Sequence, residues 1–158
     1  MPSIISRDIA ASDIMHRGAS VIWEGGLRGG TGTISTESGV LSGTQYSFCT
    51  RFAEGIGTNP DELIAAALAG CFSMALANEL DLSGFRPERI ETTATATMEN
   101  LASGWTLTRI QLEVHANVPG ASQALFMDAA VAAKTNCPIA RLLKTNISMI
   151  ASLDAQGK

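Results

Sequence analysis

The sequence predicts an α+β fold, with antiparallel sheets around one long, buried central helix. Three observations carry this reading. Short stretches of alternating apolar and polar residues stand on both sides of a single long apolar segment, so strands and helices do not take turns as in a parallel βαβ sheet. Glycines at 25, 26, 29, 30, 39 and 43 punctuate the early stretches, as turns between antiparallel strands require. The 158 residues are 46% hydrophobic and 16% charged, which is enough apolar material for a core and argues against disorder.

Residues 1–18 show no clean period and are expected to form an extended arm, leaving 19–158 as a single domain. Strands are expected over 19–23, 31–36 and 45–49. A helix start follows: Asn59 can cap, Pro60 suits the first helical position, and Glu62 stands three residues past the cap as in a capping box. The helix then reads LIAAALAGCFSMALANEL and stops near Gly84. It is apolar on almost every side, and such a helix is normally buried all round. It therefore needs layers on both sides or a second subunit.

Beyond it, 91–98 alternates as a strand and 99–104 reads as a hairpin loop. Ile110, Leu112, Val114 and Ala116 alternate with Arg109, Gln111, Glu113 and His115, the pattern of a half-buried strand. An alanine-rich helix over 122–134 and a short one opened by Cys137-Pro138 come next. The last strand places Ile147, Met149, Ala151 and Leu153 on one face.

Several functions are disfavoured. No apolar run comes near the roughly 20 residues that cross a bilayer, and the N-terminus lacks the apolar core of a secretory signal. A net charge of −4 with few aromatics argues against nucleic acid or an anionic membrane surface as partner. Cys49, Cys71 and Cys137 form no CxxC pair and no zinc spacing, and neither His16 nor His115 has ligands spaced around it, so no metal and no cofactor are expected. An odd cysteine count without a signal suggests a reducing, cytoplasmic setting. A hydrolase lacks its GxSxG elbow.

The thiols stand out by location. Cys71 lies mid-helix in an apolar stretch, whereas Cys137 precedes Pro138 at a helix start, where free N–H groups favour thiolate over thiol. Both positions also suit a small buried hydrophobe. Arg51, two residues past Cys49, is either a surface residue or a fork of donors that stabilises a thiolate and orients an O–O bond. Cys49 itself reads as a bystander, and Trp23 and Trp105 as residues of the core or of a subunit contact.

Longer words then become recognisable. Thr-Ile-Ser-Thr-Glu-Ser-Gly-Val-Leu (33–41) precedes Thr-Arg-Phe (50–52), Gly-Thr-Asn-Pro-Asp-Glu-Leu-Ile-Ala-Ala-Ala (57–67), Ala-Gly-Cys-Phe-Ser-Met-Ala-Leu (69–76) and Asn-Cys-Pro-Ile (136–139). In this order they resemble the OsmC/Ohr family of thiol-dependent peroxidases, in its OsmC branch, from about Trp23 to Asp154. The resemblance implies an intertwined homodimer that reduces organic hydroperoxides, and hydrogen peroxide less well, in oxidative or osmotic stress. It implies Cys71 as peroxidatic cysteine, Cys137 as resolving cysteine and Arg51 as activating arginine. The family's glutamate falls on Asp61, one methylene shorter, with Glu62 in reserve; both also suit a helix first turn.

Asp61 and Cys71 are ten residues apart, about 15 Å along a straight helix, so Asp61 is expected to serve the Cys71 of a second chain. Leu68, Phe72 and Leu76 around Cys71 suit a hydrocarbon tail or the core. The implied chemistry runs from a Cys71 sulfenic acid to a disulfide with Cys137, reduced by an external dithiol of lipoyl type or another small dithiol. The rival reading is a non-enzymatic, stress-induced binding or redox-sensing protein that uses the same cysteine pair.

Overall fold

The computed structural model describes residues 14–154, so most of the arm expected over 1–18 lies outside the described residues. The chain forms two compact units, one reaching Asn59 and the other starting at Pro60. No linker composition marks the boundary; it coincides with the helix start at Pro60.

The first unit is a three-stranded antiparallel sheet of β1 (Ala19–Glu24), β2 (Thr31–Thr36) and β3 (Thr44–Ser47), in that order. Trp23 and Tyr46 meet across β2 with ring centroids 5.5 Å apart. Gly32 lies between them in register, and any side chain there would run into both rings. The third strand is shorter than expected. It gives way at Ser47 to a small helix, α1 (Phe48–Phe52), whose N-cap is Ser47. Ser47 and Thr50 bond each other's backbone N–H in a capping box. Threonine replaces the usual Glu or Gln, which is why the sequence reads as strand through Cys49.

The second unit begins with α2 (Pro60–Leu82). The helix ends in a Schellman turn: Gly84, at φ +82°, bonds Asp81 O, and Phe85 N–H reaches Leu80 O at 2.9 Å. Next come β4 (Arg89–Leu101) and β5 (Gly104–Asn117), paired antiparallel through a two-residue turn at Ala102 and Ser103. Then follow α3 (Gln123–Asn136), α4 (Pro138–Leu142) and β6 (Asn146–Leu153). β6 lies beside β5 and runs parallel to it, so the expectation of antiparallel pairing throughout needs correction. Two helices between the strands carry the chain back to the end where β5 began, and a connection of that length permits the same direction.

The core belongs to this unit. Ile110, Leu112, Val114 and Ala116 alternate inward from β5, with Ile147, Met149, Ala151 and Leu153 of β6 beside them. Against this face lie Leu68, Phe72, Leu76 and Leu80 of α2 and Phe126, Ala130 and Ala133 of α3. Those spacings of three and four residues each make one helical stripe.

The expectation of a helix buried on every side is therefore not met within one chain. α2 buries one face, while Ala66, Ala67, Gly70 and Met74 are exposed, Met74 at 76%. By length and composition alone α2 passes for a membrane span, with an 18-residue stretch of mean hydropathy 1.6, contrary to expectation. Its buried stripe is packed as in a core helix. Trp105, at 56% exposure, is not a core residue of this chain either.

Phe72 is wholly buried at the centre of the stripe. Phe72→Ala is expected to cost about 3–5 kcal/mol through lost transfer energy and a residual cavity. Urea unfolding checks this, and a loss below about 1 kcal/mol would contradict the packing.

Candidate active site

Two stripes converge on a pair of sulfurs. Cys71 flanks the α2 stripe, one position from Phe72, and is half-buried. Cys137 continues the α3 stripe one turn past Ala133 and is 0% exposed. The residue before a proline avoids helical geometry. At Cys137 the backbone takes φ −56° and ψ 120°, and the helix breaks there. Cys137 thus closes α3 and caps α4 without a side-chain capping bond, which leaves its sulfur turned to the core.

The structure brings these two thiols together. The Cys71 thiol hydrogen-bonds to Cys137 and receives the peptide N–H of Ile139. Burial pushes the Cys71 thiol up from its ordinary range, and the bond to Cys137, which holds its proton, adds to this. The Ile139 N–H pulls the other way, because it favours the thiolate, and negative charge on Cys137 opposes ionisation again. The expected helix-start amide is therefore present but serves Cys71 rather than Cys137. Sequence reasoning missed Ile139. The signal was Pro138, which has no N–H and leaves Ile139 as the next residue of α4 able to donate.

The remaining residues are placed as follows. Asp61 and Glu62 lie in the first turn of α2, and this helix continues without a break past Cys71. Asp61 is therefore about 15 Å along the axis from the Cys71 of its own chain. Arg51 belongs to the first unit, on α1, with its guanidinium carbon 5.4 Å from the Phe52 ring centroid. Leu68, Phe72 and Leu76 are each 0% exposed and face the core, the second of the two readings that the sequence left open for them. One face of α2 must cover the sheet, and these three side chains do so.

Cys49 is exposed in the first unit. His115 is exposed as expected and bonds Ser152 Oγ at 2.6 Å. Among the described residues no group of His, Cys, Asp and Glu side chains is arranged to hold a metal ion.

Comparison with known proteins places the chain in a family. Residues 53–152 match the OsmC-like protein family. The chain is 43% identical over 135 residues to the peroxiredoxin OsmC of Escherichia coli, covering 85% of this chain and 94% of that protein. Among solved structures, an OsmC-like protein of unknown function from Vibrio cholerae superposes with a TM-score of 0.71 at 17% identity, covering 88% of this chain and 100% of the other. An organic hydroperoxide resistance protein OsmC from Legionella pneumophila gives 0.65 at 21% identity, with 90% and 99% covered. At these identities the two structures establish the fold alone. Shared fold, family match and sequence identity agree, and the chain belongs to the OsmC-like family.

Proposed function

We propose that the protein reduces organic hydroperoxides, and hydrogen peroxide more slowly, through a sulfenic acid on Cys71 that Cys137 resolves. Its broader class is that of a peroxide-related redox enzyme, a peroxidase, as the identity to peroxiredoxin OsmC indicates. One observation supports the division of labour: Cys71 retains exposure and Cys137 has none, although their thiols hydrogen-bond. A peroxide arriving from solvent meets Cys71 first.

In this reading the Cys71 thiolate attacks the terminal peroxide oxygen. The O–O bond breaks, the alkoxide leaves and takes a proton, and Cys71 carries the new S–O bond. Cys137 then attacks this sulfur and expels water as the disulfide forms. An external dithiol, of lipoyl or similar type, restores both thiols. No cofactor enters. The setting is a reducing one, cytoplasmic and linked to oxidative or osmotic stress.

Arg51 is proposed as the donor that lowers the Cys71 pKa in the complete site and supports the leaving oxygen. Arg51→Ala is expected to slow the first oxidation by about ten- to a hundredfold. Stopped-flow oxidation of the reduced protein by cumene, tert-butyl and hydrogen peroxides, with cycling by dithiothreitol or dihydrolipoamide, tests the whole reading. Equal rates for wild type and variant remove Arg51 from the mechanism. No peroxide consumption by the wild type removes the function.

The working form is proposed to be a homodimer. The exposed face of α2 carries small residues, Ala66, Ala67 and Gly70, beside Met74, and β1 leaves Val21 and Ile22 open at 52% and 66%. Small residues let a second helix approach closely, and exposed apolar patches mark contacts between proteins. Asp61, with Glu62 behind it, then serves the Cys71 site of the second copy. Activity is expected to fall with dilution as the dimer dissociates; a fully active monomer in light scattering contradicts this.

A further inference from the structure

We infer that the Cys71–Cys137 disulfide is reduced from one side only: the incoming thiol attacks Cys71 Sγ, and Cys137 is the leaving group. The inference rests on the proposed disulfide and adds the direction of its reduction, which the chemistry alone leaves open. Either sulfur of a disulfide accepts a thiolate, and access decides which one is attacked.

The geometry here is unequal. Cys137 is 0% exposed, enclosed at the end of the α3 stripe with Ala133, Ala130 and Phe126 in the same core. Cys71 lies at the margin of its stripe and keeps part of its surface. A second subunit can only cover more of either sulfur, so it cannot open Cys137. Cys71 packs against the core cluster that encloses Cys137, so the disulfide can form with Cys137 kept inside it. Exchange also requires the attacking, central and leaving sulfurs to lie roughly in line. With Cys137 behind Cys71, the outer side of Cys71 is the one left for approach.

The step balances as an ordinary exchange. The first thiolate of the dithiol forms a bond to Cys71 Sγ while the Cys71–Cys137 bond breaks. Cys137 departs with the electron pair and takes up a proton. The second thiol of the reductant then attacks its own sulfur in the mixed disulfide. The reductant closes to a cyclic disulfide, and Cys71 leaves as thiolate beside the Ile139 N–H. The protein gains two electrons from the dithiol and the dithiol is oxidised. A monothiol lacks the closing step and leaves the adduct on Cys71.

The test begins with the full chain carrying Cys49→Ser, which removes the exposed bystander thiol. It is oxidised with tert-butyl hydroperoxide and shown by mass to have lost two hydrogens. Failure at this stage overturns the underlying disulfide, and the direction of attack with it. The oxidised protein is then exposed briefly to 2-mercaptoethanol, quenched in acid and peptide-mapped. The mercaptoethanol adduct is expected on Cys71, at about tenfold or more over Cys137; an adduct chiefly on Cys137 refutes the inference.

A second measurement settles the matter if internal exchange erases the adduct. Cys49→Ser/Cys137→Ser and Cys49→Ser/Cys71→Ser proteins, each with one thiol, are treated with 4,4′-dithiodipyridine and then with dithiothreitol. Cys71 is expected to load and to be released about tenfold or more faster than Cys137. Equal rates, or faster reaction at Cys137, overturn the proposal.

Discussion

Cys71→Ser is expected to lower hydroperoxide consumption by more than about a thousandfold, to the background of the reductant alone. A hydroxyl is a far weaker nucleophile toward peroxide oxygen than a thiolate and forms no sulfenic acid. Cys137 does not replace it, because it is closed to solvent. The variant is expected to keep its fold, because Cys71 stands beside the wholly buried stripe rather than within it. Circular dichroism and a peroxide-consumption assay on the same sample check both statements. Turnover at the wild-type rate by the folded variant refutes the nucleophile assignment.

Cys137→Ala is expected to separate oxidation from cycling. The first oxidation of Cys71 proceeds, but no disulfide follows, so dithiol-driven turnover falls by about a hundredfold or more and sulfinic acid accumulates on Cys71 under excess peroxide. Alanine is the informative choice, since serine keeps a hydrogen-bond partner for Cys71. The substitution also moves the Cys71 thiol in a definite direction. Burial, the first cause of its raised pKa, remains, but the proton-holding bond and the opposing charge both go. The midpoint of Cys71 alkylation with pH is expected to move down relative to wild type, so the variant alkylates faster at neutral pH. Intact-mass kinetics of iodoacetamide labelling, with Cys49 replaced by Ser, read this directly. An unchanged midpoint together with unchanged cycling removes Cys137 from both roles.

Much of the second unit was legible because its periods are strong. The inward set of β5 and the last strand's Ile147, Met149, Ala151 and Leu153 face the core as alternation requires. The helix over Pro60–Leu82 was marked at both ends, by proline at its start and glycine past its end. Elsewhere local signals were not enough. The small helix α1 was hidden because Thr50 fills the capping role usually held by Glu or Gln. The parallel placing of β6 is a matter of topology, which strand patterns alone do not encode.

The site shows the same division. The sequence motifs single out Cys71 and Cys137, but whether the two meet depends on how α2 packs against α3, which neither motif carries. Ile139 was invisible for a different reason: its contribution is a backbone N–H, independent of side-chain type. For Leu68, Phe72 and Leu76 the sequence left two readings open, because apolar residues beside a reactive group look alike whether they fill a core or line a pocket; within this chain they are buried in the core.

The most direct measurement is peptide mapping of the reduced protein after one equivalent of tert-butyl hydroperoxide, without added reductant. A single disulfide joining the Cys71 and Cys137 peptides, with Cys49 still free, is the predicted result. Cys71 found as sulfinic acid beside an unreacted Cys137, or any disulfide that includes Cys49 in its place, would contradict the account.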